Sequence, residues 1–256
     1  SMKTQLIELA ALVRTAVANT PAPERGRTVA MGADGTPTSY VDRVAEDVIL
    51  KYLDEMNFPA NMLSEEAGYI DRGFKDTLVV DPVDGTHNAC SAIPFYSVSL
   101  ALGRDSLKNI SEGLVMNLVT GDVFHAAKGR GATLNDAPIN VRAPGSDLLL
   151  LSYLGASANP VTYRIANRFR RVRSLGCVSL ELCAIASGQA DAFFIDYSDE
   201  RKSPRIVDIA ASILILREAG GEAYDANQEI LDMPFSLEAR KNMMALGSGK
   251  LLEMMR

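Results

Sequence analysis

The stretch Thr77-Leu-Val-Val-Asp-Pro-Val-Asp-Gly-Thr86 decides how the rest of the chain is interpreted. Its first four residues form an apolar run that predicts a buried strand, and Asp81 and Asp84 follow where that strand ends. Hard divalent cations such as Mg²⁺ take oxygen ligands, and this short turn offers two carboxylates and the Val83 carbonyl. The Gly-Thr pair that follows can begin a helix, where backbone amides bind phosphate oxygens. The stretch therefore predicts metal-assisted phosphate chemistry.

The same residues also have a purely structural interpretation. Asp-Gly is a common turn pair, and an aspartate before a helix is a common N-cap. Further acidic residues favour the functional interpretation, because they too lie at the ends of predicted elements. Glu65 and Glu66 follow a predicted strand, and Asp208 lies at the start of an otherwise apolar helix. The apolar flanks of Asp208 predict that its carboxylate faces inward.

The composition argues against several classes of protein. The chain has 256 residues, of which 47% are hydrophobic, and this is enough for a sizeable core in one or two domains. No apolar stretch approaches the ~20 residues of a membrane-spanning helix, and the N-terminus lacks a secretory pattern. The formal charge of −6 argues against general nucleic-acid binding. Such a chain needs a local cationic focus to bind an anionic phosphate, and bound metal ions would provide one.

The cysteines argue against a thiolate metal site and against a thiol nucleophile, and the histidines are expected to be structural. Cys90, Cys177 and Cys183 are an odd number without metal-ligand spacing, which is typical of buried thiols in a reducing cytosol, so we expect a cytoplasmic protein. Cys90 lies near the aspartates but has no base beside it, which argues against a thiol mechanism. We expect His87 to lie on a helix surface and His125 to be a packed or edge residue of a strand.

The N-terminal half predicts two helices over a mainly antiparallel sheet. Apolar residues recur at helical spacing in residues 5–18 and 39–56, and the polar stretch 19–35 between them predicts a loop or hairpin. Ser39-x-x-Asp42 predicts a capping box at the start of the second helix. Short apolar runs separated by turn residues continue through residues 61–133, as in antiparallel strands.

The C-terminal part predicts alternating strands and helices. We expect strands over residues 148–154, 172–175, 192–195 and 243–246, and helices over residues 160–169, 178–187 and 207–219. The pattern changes after Pro144-Gly145, so we place a subdomain boundary near residues 143–147. An N-terminal α+β subdomain over residues 1–145 would carry most of the acidic residues. A C-terminal α/β subdomain over residues 146–256 would contribute Asp208.

Three blocks of the sequence resemble the signature blocks of the inositol monophosphatase superfamily. They are Ser64-Glu-Glu66, Asp81-Pro-Val-Asp-Gly-Thr86, and Val207-Asp-Ile-Ala-Ala followed by Glu218-Ala-Gly-Gly221. Three ordered blocks, about 15 and 120 residues apart, are far more specific than any one of them. The resemblance extends over nearly the whole chain. It implies a layered α-β-α-β-α sandwich of the α+β or α/β class, usually dimeric, and a Mg²⁺-dependent, often lithium-sensitive phosphatase.

The resemblance also assigns roles to individual residues. The metal ligands would be Glu65, Asp81, the Val83 carbonyl, Asp84 and Asp208, holding two or three Mg²⁺ ions for which Mn²⁺ can substitute. Asp42 and Thr86 match the pair that orients or deprotonates the attacking water, and the Gly85 and Thr86 amides match the phosphate cradle. Phosphoryl transfer requires mainly charge neutralisation and in-line positioning, which carboxylates with bound metal ions provide.

Two features depart from the family pattern. Residues 25–38 contain no lysine, although many members carry one there, and Val207 replaces a tryptophan that often precedes the last metal-binding aspartate. Neither change removes a metal ligand, but both leave the third metal site and the pocket wall undetermined.

The loop Gly32-Ala-Asp-Gly-Thr-Pro-Thr38 and the pattern Val41-Asp-x-x-x-Glu46 are similar to archaeal members, several of which act on both inositol phosphates and fructose 1,6-bisphosphate. Arg201, Lys202 and Arg205 are candidates to bind a second phosphate, because arginine suits bidentate phosphate contacts. A solvated, charge-balanced loop explains each of them about equally well.

A second segment, Ser174-Leu-Gly-Cys-Val178, directly follows Arg173 and resembles the substrate-binding turn of the family. It gives Arg173, Cys177 and Val178 as further substrate candidates, and a strand-edge surface charge is the alternative for Arg173.

We therefore expect a Mg²⁺-dependent phosphomonoester hydrolase that acts on fructose 1,6-bisphosphate and/or myo-inositol 1-phosphate by in-line attack of a metal-activated water. We expect a homodimer that binds neither nucleic acid nor membranes. Within the superfamily, the alternative is a phosphatase for adenosine 3′,5′-bisphosphate or NADP. The alternative from another class is a non-catalytic metal-binding scaffold, and the presence of all the expected acidic ligands argues against it.

Overall fold

The computed structural model describes Ser1–Arg256 and arranges two sheets and three sets of helices in five layers. The N-terminal elements are α1 (Met2–Ala18), α2 (Ala22–Arg25), β1 (Thr28–Met31), β2 (Pro37–Ser39), α3 (Tyr40–Glu55), β3 (Asn61–Ser64), β4 (Gly68–Ile70), β5 (Thr77–Asp84), α4 (Thr86–Cys90), β6 (Ser97–Gly103), β7 (Ile110–Asn117), β8 (Val123–Ala127), β9 (Ala132–Leu134) and β10 (Ala137–Ile139).

The C-terminal elements are β11 (Leu149–Ser152), α5 (Pro160–Ala166), β12 (Arg171–Arg173), α6 (Val178–Ala186), β13 (Ala192–Ile195), α7 (Ile206–Glu218), β14 (Glu222–Asp225) and β15 (Met243–Leu246). Short 3₁₀ helices lie at Leu107–Asn109, Glu200–Lys202 and Gly249–Met255.

The larger sheet has eight strands in the order β10-β9-β8-β7-β6-β5-β3-β4. Neighbouring strands are antiparallel except β3 and β5, which are parallel, so the prediction of a mainly antiparallel sheet is confirmed. The smaller sheet has the order β12-β11-β13-β15-β14, in which β11 is parallel to both β12 and β13. β1 and β2 form a separate antiparallel hairpin.

Alternation along the strands assigns successive side chains to different cores. In β5, Leu78 packs in the core that contains α1 and α3, whereas Val79 packs in the core that contains α6 and α7. In β13, Phe193 faces this second core and Phe194 faces a third core with α5 and the C-terminal 3₁₀ helix. The layers therefore follow the order α-β-α-β-α, which confirms the fold expected from the sequence.

Some local features differ from the predictions. The polar stretch 19–35, predicted as a loop or hairpin, forms the first half of a hairpin through β1, and it also contains the short helix α2, which was not predicted. The capping box at Ser39 is wrong, because the Ser39 side chain makes no hydrogen bond to the backbone of α3. Its hydroxyl donates instead to Asp42 Oδ2, which turns toward the other acidic residues. The strand predicted at 172–175 lies at Arg171–Arg173.

The two sheets divide the chain between β10 and β11, at the place predicted for the subdomain boundary. α6 and α7 nevertheless pack in a core that contains residues of both sheets. The division into two subdomains therefore stays a prediction.

The three cysteines are unpaired; Cys177 and Cys183 are buried, and Cys90 is only half-buried. None of the helices combines the length and the apolar character needed to cross a bilayer.

Candidate active site

A bulge at the end of β5 brings two aspartates to one side of the sheet. Asp81 pairs with Ser99 and Asp84 with Ser97, so β5 contains one residue more than β6 in this segment. Side chains three positions apart in a regular strand point to opposite faces, and the extra residue of a bulge cancels that alternation. Pro82 is compatible with the bulge because no N–H is required of it there. One acidic oxygen from each aspartate accordingly lies within 4.8 Å of the other.

Neighbouring elements bring four more carboxylates to the same place. Because β3 is parallel to β5, Glu65 and Glu66 follow β3 at the edge where β5 ends. Asp42 lies in the first turn of α3, and Asp208 lies in the first turn of α7. The six residues form two groups, each with acidic oxygens within 4.8 Å of one another: Asp42, Glu65 and Glu66 in one group, and Asp81, Asp84 and Asp208 in the other.

The electrostatics of these groups favour the binding of a cation. Burial, with the charges of neighbouring acids, raises the pKa of Glu65 and of Asp81 well above the usual range. Burial and the charge of Asp208 raise the pKa of Asp84 to about 6. Asp81 Oδ1 is buried without any hydrogen-bond partner. A divalent cation would satisfy that oxygen and offset the repulsion, so the residues present fit a Mg²⁺ centre.

Thr86 connects the acidic groups to the turn after β5. Its hydroxyl lies 3.1 Å from Asp42 Oδ1 and 2.8 Å from the Val83 carbonyl oxygen, and it can donate to either. Burial, with the charges of Glu66 and Glu46, raises the pKa of Asp42 to about 7. A carboxylate with a pKa near neutrality suits the transfer of a proton through the threonine hydroxyl.

Residues at the start of α6 fix the orientation of Asp84. The backbone N–H of Ser179 donates to Asp84 Oδ2 at 2.8 Å, and the Ser179 hydroxyl donates to the same oxygen. The Cys177 thiol, which is fully buried, lies 3.3 Å from that oxygen. Cys177 is held in turn by Glu181, whose Oε1 accepts from the Cys177 N–H at 3.2 Å and from the Tyr153 hydroxyl at 2.8 Å. All the hydrogen bonds from this segment to the Asp84 side chain are made to Oδ2, and none is made to Oδ1.

The Arg205 guanidinium lies among the carboxylates. Its Nη1 donates to Asp34 Oδ2 at 2.7 Å, its Nη2 forms an ion pair with Glu65, and its Nε lies 3.4 Å from Asp208 Oδ2. Only 9% of the Arg205 side chain is exposed. Arg205 therefore provides part of the positive charge that this acidic site requires.

An open cavity of about 700 Å³ is lined in part by Asp34, the ion-pair partner of Arg205, and by none of the six grouped carboxylates. The turn of the β1–β2 hairpin, including Asp34, forms one wall. Arg201, Lys202 and Arg240 contribute cationic side chains to the lining, and Asp34, Asp199 and Glu238 contribute acidic ones. Arg201 already forms an ion pair with Asp199. The cavity is large enough for a sugar phosphate.

Comparison with known proteins identifies the family. The family model described as "Inositol monophosphatase family" matches residues 2–254. The chain belongs to the inositol monophosphatase family. It is 39% identical over 246 residues to the fructose-1,6-bisphosphatase/inositol-1-monophosphatase of Methanothermobacter thermautotrophicus, with 90% of this chain and 86% of that protein covered.

Two further relatives of this family member extend the comparison. A bifunctional NADP phosphatase/NAD kinase of Methanococcus maripaludis is 34% identical, with 83% of this chain and 41% of that protein covered. The solved structure of a hypothetical protein from Pyrococcus horikoshii, described as having similarities to inositol-1 monophosphatase, superimposes with a TM-score of 0.85. That pair is 28% identical and covers 99% of this chain and 96% of the other.

The predicted site residues of this family member lie in four places. One is occupied by Arg205, in the ion pairs described above, and its substrate role stays a prediction. The predicted metal and water-activating residues come together at the end of β5: Asp42, Glu65, Asp81, Val83, Asp84, Gly85, Thr86 and Asp208. Cys177 and Val178 lie buried beneath Asp84 at the start of α6. Arg173 and Arg201 are exposed, and Arg201 forms an ion pair with Asp199. The substrate roles of these last four residues stay predictions.

Neither histidine belongs to the two acidic groups. His87 is exposed on α4, and His125 is buried in β8, where its Nε2 lies 2.7 Å from Glu112 Oε1. Both positions agree with the sequence-based expectations.

Sequence reasoning assigned no role to several residues that shape the site, although it noted Glu66 within a signature block. Glu66 joins Asp42 and Glu65 in one acidic group and accepts a hydrogen bond from Thr38. Asp34 bonds Arg205, and Ser179 bonds Asp84. Glu66 was signalled by its position beside Glu65. The partners of Asp34 and Ser179 are 171 and 95 residues away in the sequence, so no local pattern reveals these contacts.

Proposed function

We propose that this protein is a Mg²⁺-dependent phosphomonoester hydrolase. The observation that carries the proposal is the convergence of six carboxylates, with the unpartnered Asp81 Oδ1 among them, beside the Thr86–Asp42 pair. Membership of the inositol monophosphatase family supports the same reaction class. A non-catalytic scaffold would have no need for the threonine–carboxylate pair.

The metal ligands in this proposal are Glu65, Asp81, Asp84, Asp208 and the Val83 carbonyl. A divalent cation held by these residues would supply a water of lowered pKa and would stabilise negative charge on phosphate oxygens. Thr86 positions a water through its hydroxyl and passes the proton to Asp42 Oδ1, 3.1 Å away. The Gly85 and Thr86 amides, at the turn into α4, are placed to bind a phosphate oxygen.

The proposed substrates are fructose 1,6-bisphosphate and myo-inositol 1-phosphate. The names of relatives at 38% and 39% identity support both. The cavity bordered by Asp34 also supports a bisphosphate, because Arg201, Lys202 and Arg240 line it and can meet a distal phosphate there. NADP is the second candidate, supported by the relative that combines NADP phosphatase with NAD kinase.

Other properties rest on the family resemblance. We propose inhibition by lithium, a homodimeric assembly and a cytoplasmic location. Mn²⁺ is proposed as a substitute for Mg²⁺, and the number of ions per site is proposed as two or three.

A phosphate-release assay tests the proposed function. Wild type should release phosphate from fructose 1,6-bisphosphate and myo-inositol 1-phosphate in Mg²⁺ and lose that activity in EDTA. Asp84→Asn should lower kcat by roughly 10²–10³-fold, the scale of losing one electrostatic group at a reacting centre. NADP and adenosine 3′,5′-bisphosphate complete the panel.

Asp105→Asn provides a matched control for Asp84→Asn. Asp105 is exposed and has a φ of 65°, a backbone conformation that asparagine tolerates well. This variant removes the same charge without touching the site and should keep wild-type turnover. Near-normal turnover of Asp84→Asn in saturating Mg²⁺ would contradict the metal assignment, and activity that persists in EDTA would contradict the metal requirement itself.

A further inference from the structure

Arg205 connects three separate segments of the chain through one buried side chain. Its guanidinium contacts Asp34 in the β1–β2 turn, Glu65 after β3, and Asp208 in the first turn of α7. Its own backbone N–H donates to Asp208 Oδ2 at 2.8 Å, which fixes the position of Arg205 at the start of α7. A planar guanidinium has five N–H donors in a fixed fork, so it can bind several carboxylates at once.

Two of these partners, Glu65 and Asp208, are proposed metal ligands. A guanidinium and a divalent cation cannot both lie against the same carboxylate oxygens, because the two positive charges repel each other at contact distance. We propose that Arg205 is an internal cation that occupies Glu65 and Asp208 in the metal-free protein and must release them when a metal binds. This inference rests on the metal site of the proposed function and adds a competing residue to it.

Asp34 extends the role of Arg205 to the hairpin. The turn that contains Asp34 is joined to the acidic segment by two backbone hydrogen bonds, from Ala33 N–H to the Glu66 carbonyl at 2.9 Å and from Asp34 N–H to the Glu65 carbonyl at 3.2 Å. The Arg205–Asp34 ion pair adds a third connection from α7. Arg205 therefore positions the turn against the carboxylates, and the turn is also a wall of the adjacent cavity.

Titration of the protein with Mg²⁺, followed by isothermal calorimetry, tests this competition directly. Arg205→Gln removes the internal cation, so its Kd for Mg²⁺ should fall at least tenfold below that of wild type. In EDTA the melting temperature of this variant should fall, because the carboxylates lose their compensating charge. Saturating Mg²⁺ should restore most of that loss, so the Mg²⁺-induced shift in Tm should be larger in the variant than in wild type.

Arg240→Gln is the matched control. The charge of Arg240 acts on Asp34, Glu65 and Asp208, but its guanidinium donates to the Ser203 carbonyl and contacts none of them. This variant removes the same charge near the site without removing a competitor, so its Kd for Mg²⁺ should change by less than threefold. An equal gain in affinity in both variants would indicate a general field effect and would overturn the proposal.

Arg205→Lys is a second variant for the same Mg²⁺ titration, to be used if Arg205→Gln does not fold in EDTA. Lysine keeps the charge but cannot bridge three carboxylates with a fork, so its Kd for Mg²⁺ should lie between those of wild type and Arg205→Gln, at least threefold below wild type. A Kd equal to or above that of wild type overturns the proposal. Wild type that binds no Mg²⁺ would instead overturn the proposed function, so the two failures are distinguishable.

Discussion

Thr86 is the residue on which the proposed chemistry depends most directly. Its hydroxyl lies within hydrogen-bond distance of both Asp42 and the Val83 carbonyl, so it joins a candidate base to a candidate metal ligand. The residue supplies no metal-binding charge of its own. Its loss should therefore change the chemical step and leave the binding of metal and substrate nearly intact.

Thr86→Ala should lower kcat by about 10²–10⁴-fold, the contribution typical of positioned acid–base groups. KM and the Kd for Mg²⁺ should stay within a few-fold of wild type. Thr86→Ser is the matched variant, because it keeps the hydroxyl and removes only a methyl group, and it should recover most of the turnover. Steady-state kinetics on myo-inositol 1-phosphate measure both effects. A raised KM with unchanged kcat would assign Thr86 to binding instead.

The sequence predicted those site residues whose side-chain type is itself required by the chemistry, as a carboxylate is required of a metal ligand. Carboxylates in three signature blocks identified Asp81, Asp84 and Asp208 together with Glu65, and the structure brings them to one place. The partners of charged residues were not predictable, because they depend on contacts distant in sequence. Arg205 was a candidate to bind a second phosphate, with a solvated loop charge as the alternative, and it is instead buried in ion pairs with carboxylates.

The turn from β5 into α4 is the element that aligns the site. Gly85 has a φ of 81°, and a Cβ there would lie 3.2 Å from Cys177 Cβ, the Gly176 carbonyl and the Phe95 carbonyl. Two of these neighbours are backbone atoms, which cannot move aside without displacing their own segments. The turn therefore requires glycine for two reasons, the backbone conformation and the lack of space.

Gly85→Ala should destabilise the protein and reduce phosphate release more than tenfold, because the turn carries Asp84 and Thr86. Gly73→Ala is the matched control, since Gly73 has a φ of 85° with no atom within 4 Å of the position of its Cβ. The control should lose only about 1–2 kcal/mol of unfolding free energy, the cost of placing a residue with a Cβ in the left-handed conformation, and it should keep its activity. Urea unfolding and phosphate release, both in Mg²⁺, separate the two effects. Equal losses in the two variants would show that crowding at Gly85 has no consequence.

Elements were predictable where their periodicity was clear. The helical spacing of apolar residues gave α1, α3 and α7 to within three residues of their ends. The failed capping box shows where a local pattern is insufficient. Ser39 has the residue type of an N-cap, but its hydroxyl bonds Asp42, whose orientation is set by the tertiary site.

At the scale of the whole molecule, the site lies where different layers meet. Asp42 comes from α3 in the first layer, Asp81 and Asp84 from the large sheet, and Asp208 from α7 in the third layer. Repulsion among these carboxylates therefore acts between layers, so the charge state of the site affects the stability of the entire fold. The order of the layers was predicted through family resemblance, since periodicity alone does not determine how two sheets stack.

The stability of the metal-free protein should fall as pH rises from about 4 to 7. Burial raises the folded-state pKa of Asp84 to about 6 and that of Asp42 to about 7, whereas an aspartate in the unfolded chain titrates near pH ~4. The folded protein therefore holds protons that the unfolded chain has already released in this range. The stability contributed by these protons is complete below pH ~4 and is lost as the pH passes the folded pKa values. Each tenfold gain in proton affinity on folding corresponds to about 1.4 kcal/mol of this stability.

Mg²⁺ should reverse this dependence, because a metal binds the deprotonated carboxylates and gains affinity as pH rises. Thermal unfolding at pH 5, 6, 7 and 8 should give nearly equal Tm values in EDTA and in Mg²⁺ at pH 5, and a difference that widens toward pH 8. Asp84→Asn should flatten the decline in EDTA, since the amide does not titrate, while Asp105→Asn should follow wild type. A Tm in EDTA that rises steadily from pH 5 to 8 would contradict this prediction. It would mean that the negative charge of the carboxylates is already neutralised in the metal-free protein, for example by Arg205 alone.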